Sequence, residues 1–169
     1  TSSQRGGYTA LATLALLESG ERGQTPALDE ALQWLAAYEF APGGCYALAI
    51  RTCVWAKLPN SFRPLLERDA VWMMEHMHPE QATWHYSASP GTFRDNSTRQ
   101  YGALALWEAA MRGVPVPPQY WRRIEDELIR FQNVDGGWSY KSWGKGERKD
   151  LSGKPLDPDA SIGSMTVAG

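Results

Sequence analysis

The chain repeats itself, and a repeat of this length leaves few folds open. Three windows open on tyrosine and continue through small and aliphatic residues: Tyr8-Thr9-Ala10-Leu11-Ala12, Tyr46-Ala47-Leu48-Ala49-Ile50 and Tyr101-Gly102-Ala103-Leu104-Ala105. Tyr8 and Tyr46 are 38 positions apart, as are Leu28 and Leu66, and Trp34 and Trp72. From Tyr46 to Tyr86 is 40 positions and from Tyr101 to Tyr140 is 39. The unit is therefore 38–40 residues long, with one loop-like insertion near Ser87 to Arg94.

Each unit reads as two helices of different character. The first is apolar almost all round, as in Ala10, Leu11, Ala12, Leu14, Ala15, Leu16 and Leu17, and a helix without a polar face is expected to be buried on all sides. The second is amphipathic. Leu28, Ala31, Leu32, Leu35 and Tyr38 fall on one helical stripe, with Asp29, Glu30 and Gln33 off it. Trp121, Ile124, Leu128 and Phe131 repeat the stripe in the third unit, against Arg123, Asp126 and Glu127. Thr25-Pro26 predicts an N-cap with proline at the first helical position. Ser97-Thr98-Arg99-Gln100 fits a capping box before the Tyr101 helix. Gly20, Gly23 and Gly113 stop helices, and Pro115, Pro117 and Pro118 delay the next start. No segment of strand period competes. The expected fold is all-α, with buried first helices inside and amphipathic second helices outside. Open helical solenoids allow the same alternation, but both helices of their pairs usually keep a polar face, so a closed double ring is favoured.

Composition closes off other classes. Hydrophobic residues make up 43% and charged residues 21%, as in a globular domain with a core. The net charge of −2, with both signs mixed, provides no basic face for a nucleic acid. No apolar run reaches the ~20 residues of a membrane span. Cys45 and Cys53 are eight positions apart on one predicted helix, roughly 12 Å by helical rise, too far for a disulfide. The chain opens on Thr1 without a signal-peptide pattern, and Met165 to Gly169 reads as the first turns of another helix. A fragment cut inside a repeat is the expectation.

Gln132, Gly136 and Trp138 form a Gln-x3-Gly-x-Trp run after the third outer helix, with Leu128 four residues before it. Degraded copies end the earlier units, one at Glu39, Gly43 and Cys45 and the other at His78, Ala82 and Trp84. This pattern resembles the QW motif of squalene and oxidosqualene cyclases, within the terpenoid cyclase and protein prenyltransferase superfamily. The phrasing is most similar to toroids of uncharacterised bacterial multidomain proteins. The resemblance implies an (α/α) toroid of helical hairpins, here about half a ring. The hairpins fall at roughly 8–39, 46–78 and 98–132, followed by a loop at 141–159 and a further inner helix over 161–169. It also implies a scaffold role for Gln132, Gly136 and Trp138.

The chemistry of that superfamily is incomplete in this chain. Cyclases protonate an alkene or epoxide with an Asp-x-Asp-Asp-Thr run. Aligned on Thr98, its acid positions hold Arg94, Asn96 and Ser97, and Asp95 falls on the variable position. Asp95 is therefore the one catalytic candidate, and beside Arg94 and Arg99 it would be ionised, the wrong state for a proton donor. The prenyltransferase zinc pair, Asp-x-Cys, reads here as Asp95-Asn96-Ser97, and the following inner helix offers no His. Gly44-Cys45 sits where complement-like domains form a thioester, without the Glu-Gln partner. His76, His78 and His85 read as helix-end and loop residues, and Glu125, Asp126 and Glu127 as a solvated face. No metal or cofactor is expected.

Two features keep a binding site open. Arg51 lies in an apolar helix and needs a partner, Asp95 or Glu18, or an anionic ligand. Trp55 and Trp107 lie on inner helices and either pack the core or line an apolar cavity. The candidate ligand-binding residues are Tyr46, Arg51, Trp55, Asp95, Arg99 and Trp107. The expected role is a binding or scaffold domain of a larger bacterial protein. Its expected partners are an apolar or isoprenoid ligand and either the remaining half of the toroid or a second copy. The alternative is a triterpene-type cyclase whose acid lies outside this fragment. A weaker alternative, a carbohydrate-active (α/α) enzyme, would need paired carboxylates, for which only Asp95 and Asp135 stand near one end.

Overall fold

The computed structural model describes residues 6–20, 25–39, 44–85, 94–133, 135–142, 161 and 163. Among them are six α-helices: α1 (Gly7–Glu18), α2 (Pro26–Ala37), α3 (Cys45–Ala56), α4 (Arg63–Glu75), α5 (Asn96–Met111) and α6 (Pro118–Arg130). A 3-10 turn at Asn60–Phe62 leads into α4. One two-residue antiparallel pair, β1 (Arg94–Asp95) with β2 (Lys141–Ser142), was not foreseen from periodicity, since two residues are too few to show a period. Gly43, Tyr86, most of the 141–159 stretch and nearly all of 161–169 lie outside the described residues.

The helices form two rows. α3 packs against α1 on one side and α5 on the other, and α2, α4 and α6 each pack on the helix that precedes them. The alternation of apolar and amphipathic helices thus appears as alternation between an inner and an outer row. Each outer helix turns one stripe inward: Leu28, Leu32 and Leu35 from α2, and Leu66, Ala70 and Met73 from α4. One core cluster joins Ala10, Leu17, Leu35, Val54, Trp55 and Leu66, and the other joins Cys45, Leu48, Met73, Trp84, Leu106 and Ile124.

Burial of the inner helices departs from expectation. α3 is buried along nearly all of its length. α1 buries only Ala10, Thr13 and Leu17, leaving Tyr8 91%, Leu11 53% and Leu16 47% exposed. α5 likewise leaves Leu104, Trp107 and Met111 in solvent. The cause is position. Only α3 has an inner neighbour on each side, while α1 and α5 end the described row.

Helix starts follow local chemistry with one correction. α2 begins at Pro26 after Thr25, whose carbonyl, not its hydroxyl, receives the Leu28 and Asp29 amides at 3.0 and 3.1 Å. α5 begins at Asn96, earlier than the Ser97 capping box predicted, because Asp95 is the cap. Its Oδ1 accepts from the amides of Ser97 at 2.8 Å and Thr98 at 3.3 Å.

The turns leaving α4 and α6 share a device. Each contains a residue of positive φ, Ala82 at 44° and Gly136 at 83°. Two residues later comes a tryptophan whose indole N–H reaches back to the outer helix. Trp84 donates to the Met73 carbonyl and Trp138 to the Leu128 carbonyl, both at 2.8 Å. The Gln132 amide closes its own turn by donating to the Gly136 carbonyl at 2.8 Å. Alanine is rarely found at positive φ, so the turn at Ala82 carries strain that the buried Trp84 anchor offsets.

Candidate functional site

The N-terminal ends of α3 and α5 bring polar side chains together. Tyr46 stands in the first turn of α3 and Ser97 in the first turn of α5, and their hydroxyls are hydrogen-bonded. The Ser97 hydroxyl also donates to Asp95 Oδ1 at 2.5 Å and lies 3.1 Å from the Tyr140 hydroxyl. Asn96 donates to the Ser139 carbonyl at 2.7 Å, and the Asn96 amide donates to the Tyr140 carbonyl at 3.1 Å. These bonds fix the strand pair beside the start of α5. Tyr46 meets Tyr101 edge-on, with ring centroids 5.1 Å apart. Two of the repeated tyrosines therefore meet where α3 and α5 begin.

Asp95 is buried, and its Oδ1 receives three donors from the first turn of α5. That oxygen's lone pairs are committed to starting the helix. Arg99, also buried, donates to the carbonyls of Ala82 at 3.2 Å and Gln81 at 3.0 Å, and to the Asn96 side chain. Its guanidinium also lies 3.7 Å from Glu127. Glu127 is buried, not part of a solvated face, because Ile124 and Leu128 carry that side of α6 inward. Arg99 thus staples the Ala82 turn to α5 and α6.

The partner of Arg51 is Asp69, not Asp95 or Glu18. The guanidinium grips Asp69 with two bonds of 2.7 Å and caps the end of α2 through the carbonyls of Leu35 at 2.9 Å and Tyr38 at 2.6 Å. Trp55 donates to the same carboxylate at 2.8 Å. Burial pulls the Arg51 pKa below its ordinary value while Asp69 opposes that shift, and an arginine so paired stays charged. Asp95 and Glu18 are used elsewhere: Glu18 meets Lys57 at 2.9 Å, and Lys57 meets Glu108 at 3.0 Å, tying α1, α3 and α5 together. Trp55 is 1% exposed and belongs to the core, whereas Trp107 is 51% exposed on the far flank of α5.

Comparison of the chain with family models, with curated proteins and with solved structures finds no match.

The remaining candidates are placed as follows. Cys45 and Cys53 are free and buried. Burial raises both thiols, Cys53 to about 12 and Cys45 further, with Asp95 adding to the Cys45 shift. Such thiols are protonated at neutral pH and inert as nucleophiles. His76 stacks on Trp72 with centroids 3.9 Å apart. His78 accepts the amides of Glu80 and Gln81 at 3.3 and 3.2 Å. Among the described residues no three His, Cys, Asp or Glu side chains gather as a metal site, and no helix is long and apolar enough to cross a membrane. A groove of 660 Å³ opens between the end of α2 and the length of α4, with Tyr38, Leu48, Arg51 and Trp72 among its walls.

Sequence reasoning missed Asp69 as an organising residue, and it named Ser97 and Trp84 without their partners, the Tyr46 hydroxyl and the Met73 carbonyl. Asp69 had a visible signal: it shares the inward stripe of Leu66, Ala70 and Met73, where a carboxylate needs a cation.

Proposed function

We propose that the chain is a toroid-type binding module similar to the squalene cyclase and prenyltransferase rings, acting as a scaffold for an apolar ligand. The observation that carries this reading is the apolar and aromatic surface around the tyrosines that open α1, α3 and α5. Tyr8 and Leu11 are openly exposed, and the half-buried Tyr46 and Tyr101 meet edge-on. An apolar, aromatic surface of this kind favours a long hydrocarbon over a charged solute. The hydroxyls of Tyr46, Ser97 and Tyr140 at its upper end suit a small polar head group. An isoprenoid fits this description.

Support for binding over chemistry comes from what the reactive groups do. Asp95 starts α5, Arg99 holds a turn, Arg51 is closed onto Asp69, and both thiols are buried. In the remaining arc of a ring, supplied by further chain or by a second copy, the same face would become the wall of a cavity. Mass spectrometry of lipids extracted from the purified protein, beside a matched control protein, tests the reading. A stoichiometric isoprenoid or other long-chain lipid is expected. A protein that carries none, and whose melting temperature does not move with added isoprenoid alcohols, would overturn it.

A further inference from the structure

The groove between α2 and α4 carries aromatic walls that the repeat placed there. Trp34 and Trp72 are 38 positions apart, and so are Tyr38 and His76. Trp34 stacks on Tyr38 at the end of α2 with ring centroids 4.6 Å apart, and Trp72 stacks on His76 at the end of α4 at 3.9 Å. Tyr38 and Trp72 both line the 660 Å³ groove. A ring held by its stacked neighbour offers its surface to a ligand with little further loss of side-chain freedom.

The groove follows α4 for most of its length. Pro64, Glu67, Val71 and Glu75 line it at spacings of three and four positions, a single helical stripe of ~16 Å by helical rise. Val71 is 44% exposed on that stripe. The walls all fall within residues 38–75, so the groove belongs to the α2–α4 unit and to neither end of the row. None of them belongs to the tyrosine surface at the start of α1, α3 and α5.

The cations of the groove are already spent. Arg51 is closed onto Asp69 and the end of α2, and Arg68 donates to Asp69 Oδ1 at 3.0 Å and to the Ala36 carbonyl at 3.4 Å. Among the carboxylates, Asp69 is held by both arginines and Glu67 pairs with Arg63 at 2.7 Å. Glu39 and Glu75 are exposed and have no partner among the described residues. The groove thus joins aromatic and aliphatic surface to two uncommitted carboxylates, with no uncommitted cation beside them. That combination disfavours an anion and favours guanidinium or ammonium groups, which pair with carboxylates and lie over aromatic faces.

We propose that this groove docks a basic amphipathic segment of a partner protein. Its arginine or lysine side chains reach Glu39 and Glu75 past the Tyr38 and Trp72 rings, and its aliphatic side chains cover Val71. A stripe of three helical turns suits a linear ligand laid along it, whereas a small cation would occupy only part of its length. The docking is independent of whether an apolar ligand binds near the tyrosines.

Fluorescence anisotropy on the full chain tests this, with a labelled amphipathic peptide of arginine, leucine and alanine beside the same peptide carrying glutamate in place of arginine. The basic peptide is expected to saturate at one per chain and to weaken as salt is raised, and the acidic peptide is expected not to bind. Glu39→Gln combined with Glu75→Gln should weaken binding roughly fivefold, as the loss of two exposed ion pairs does. Val71→Lys, which sets a cation in the middle of the stripe, should weaken it by about tenfold or more. Glu125→Gln with Asp126→Asn removes the same charge from the exposed side of α6 and should change nothing. Equal binding of the two peptides would overturn the proposal, as would equal weakening by the two double variants, which would reduce the effect to net charge. Binding of neither peptide would also overturn it, as expected of a groove already filled by the chain's own remaining residues.

Discussion

Gly102 lies inside α5, where alanine normally helps, being favoured over glycine by about 1 kcal/mol in a helix interior. Here the added Cβ would stand 2.1 Å from Trp84 Cζ3 and 2.2 Å from Cε3. Non-bonded carbons settle at ~3.5–4.0 Å, so the overlap is about 1.5 Å. The ring cannot slide away, because Trp84 is 1% exposed and its indole N–H is held by the Met73 carbonyl. Overpacking costs ~1–3 kcal/mol, and expelling a buried tryptophan costs ~3–5. Set against the propensity gain, Gly102→Ala is expected to lose roughly 2–4 kcal/mol. Urea denaturation of Gly102→Ala, Trp84→Ala and the double variant completes the test. With the ring gone the alanine has room, so in the Trp84→Ala background the substitution should be neutral or stabilising by about 1 kcal/mol. If Gly102→Ala stabilised the wild type, or cost as much without Trp84 as with it, the packing of the 78–84 turn against α5 would be wrong.

Asp69→Ala should cost ~3–5 kcal/mol in the same denaturation assay, since it strands the Arg51 charge in the core. Pairing it with Arg51→Met should recover part of that loss. Gln132→Ala and Trp138→Phe each remove one hydrogen bond of the α6 turn and should each cost ~0.5–1.5 kcal/mol; an unchanged melting temperature in either would refute their scaffold role. Burial and His78 hold the His85 pKa below its ordinary 6.5. The stability it contributes is present above pH 6.5 and is lost as pH falls below that value. His85→Gln should flatten that slope, and an unaltered stability curve between pH 7 and 5 would refute the assignment. Asp135 acts in a lower window. Ser161 and the Gly137 amide hold it below 3.8, so its contribution is present above pH 3.8 and lost on further acidification.

The two-row helical architecture was legible because a period of 38 residues, with apolar and amphipathic segments alternating, has few other ways to bury itself. What the sequence could not show was position in the row. α1 and α3 look equally apolar, yet only α3 is covered on both sides. Arg51 was legible as a charge that needed a partner. Its partner was not, because Asp69 stands on a different helix and only the fold aligns the two stripes. Arg99 looked like a ligand contact because its acceptors are mostly backbone carbonyls, which have no signature in sequence. Glu127 was lost among neighbouring acids, although its place beside Ile124 and Leu128 marked the inward side of α6. The Ala82 turn kept its geometry without the glycine, so a degraded motif hid an intact hydrogen bond from Trp84.

The central claim is that the residues resembling chemistry in this chain hold the fold instead. Product analysis after incubating the protein with squalene and with prenyl diphosphates, for wild type and Asp95→Asn side by side, tests it most directly. No product is expected from either protein, and their stabilities should be nearly equal, because asparagine also caps helices well. Turnover by the wild type that disappears in a folded Asp95→Asn protein would contradict it and make Asp95 a catalytic acid.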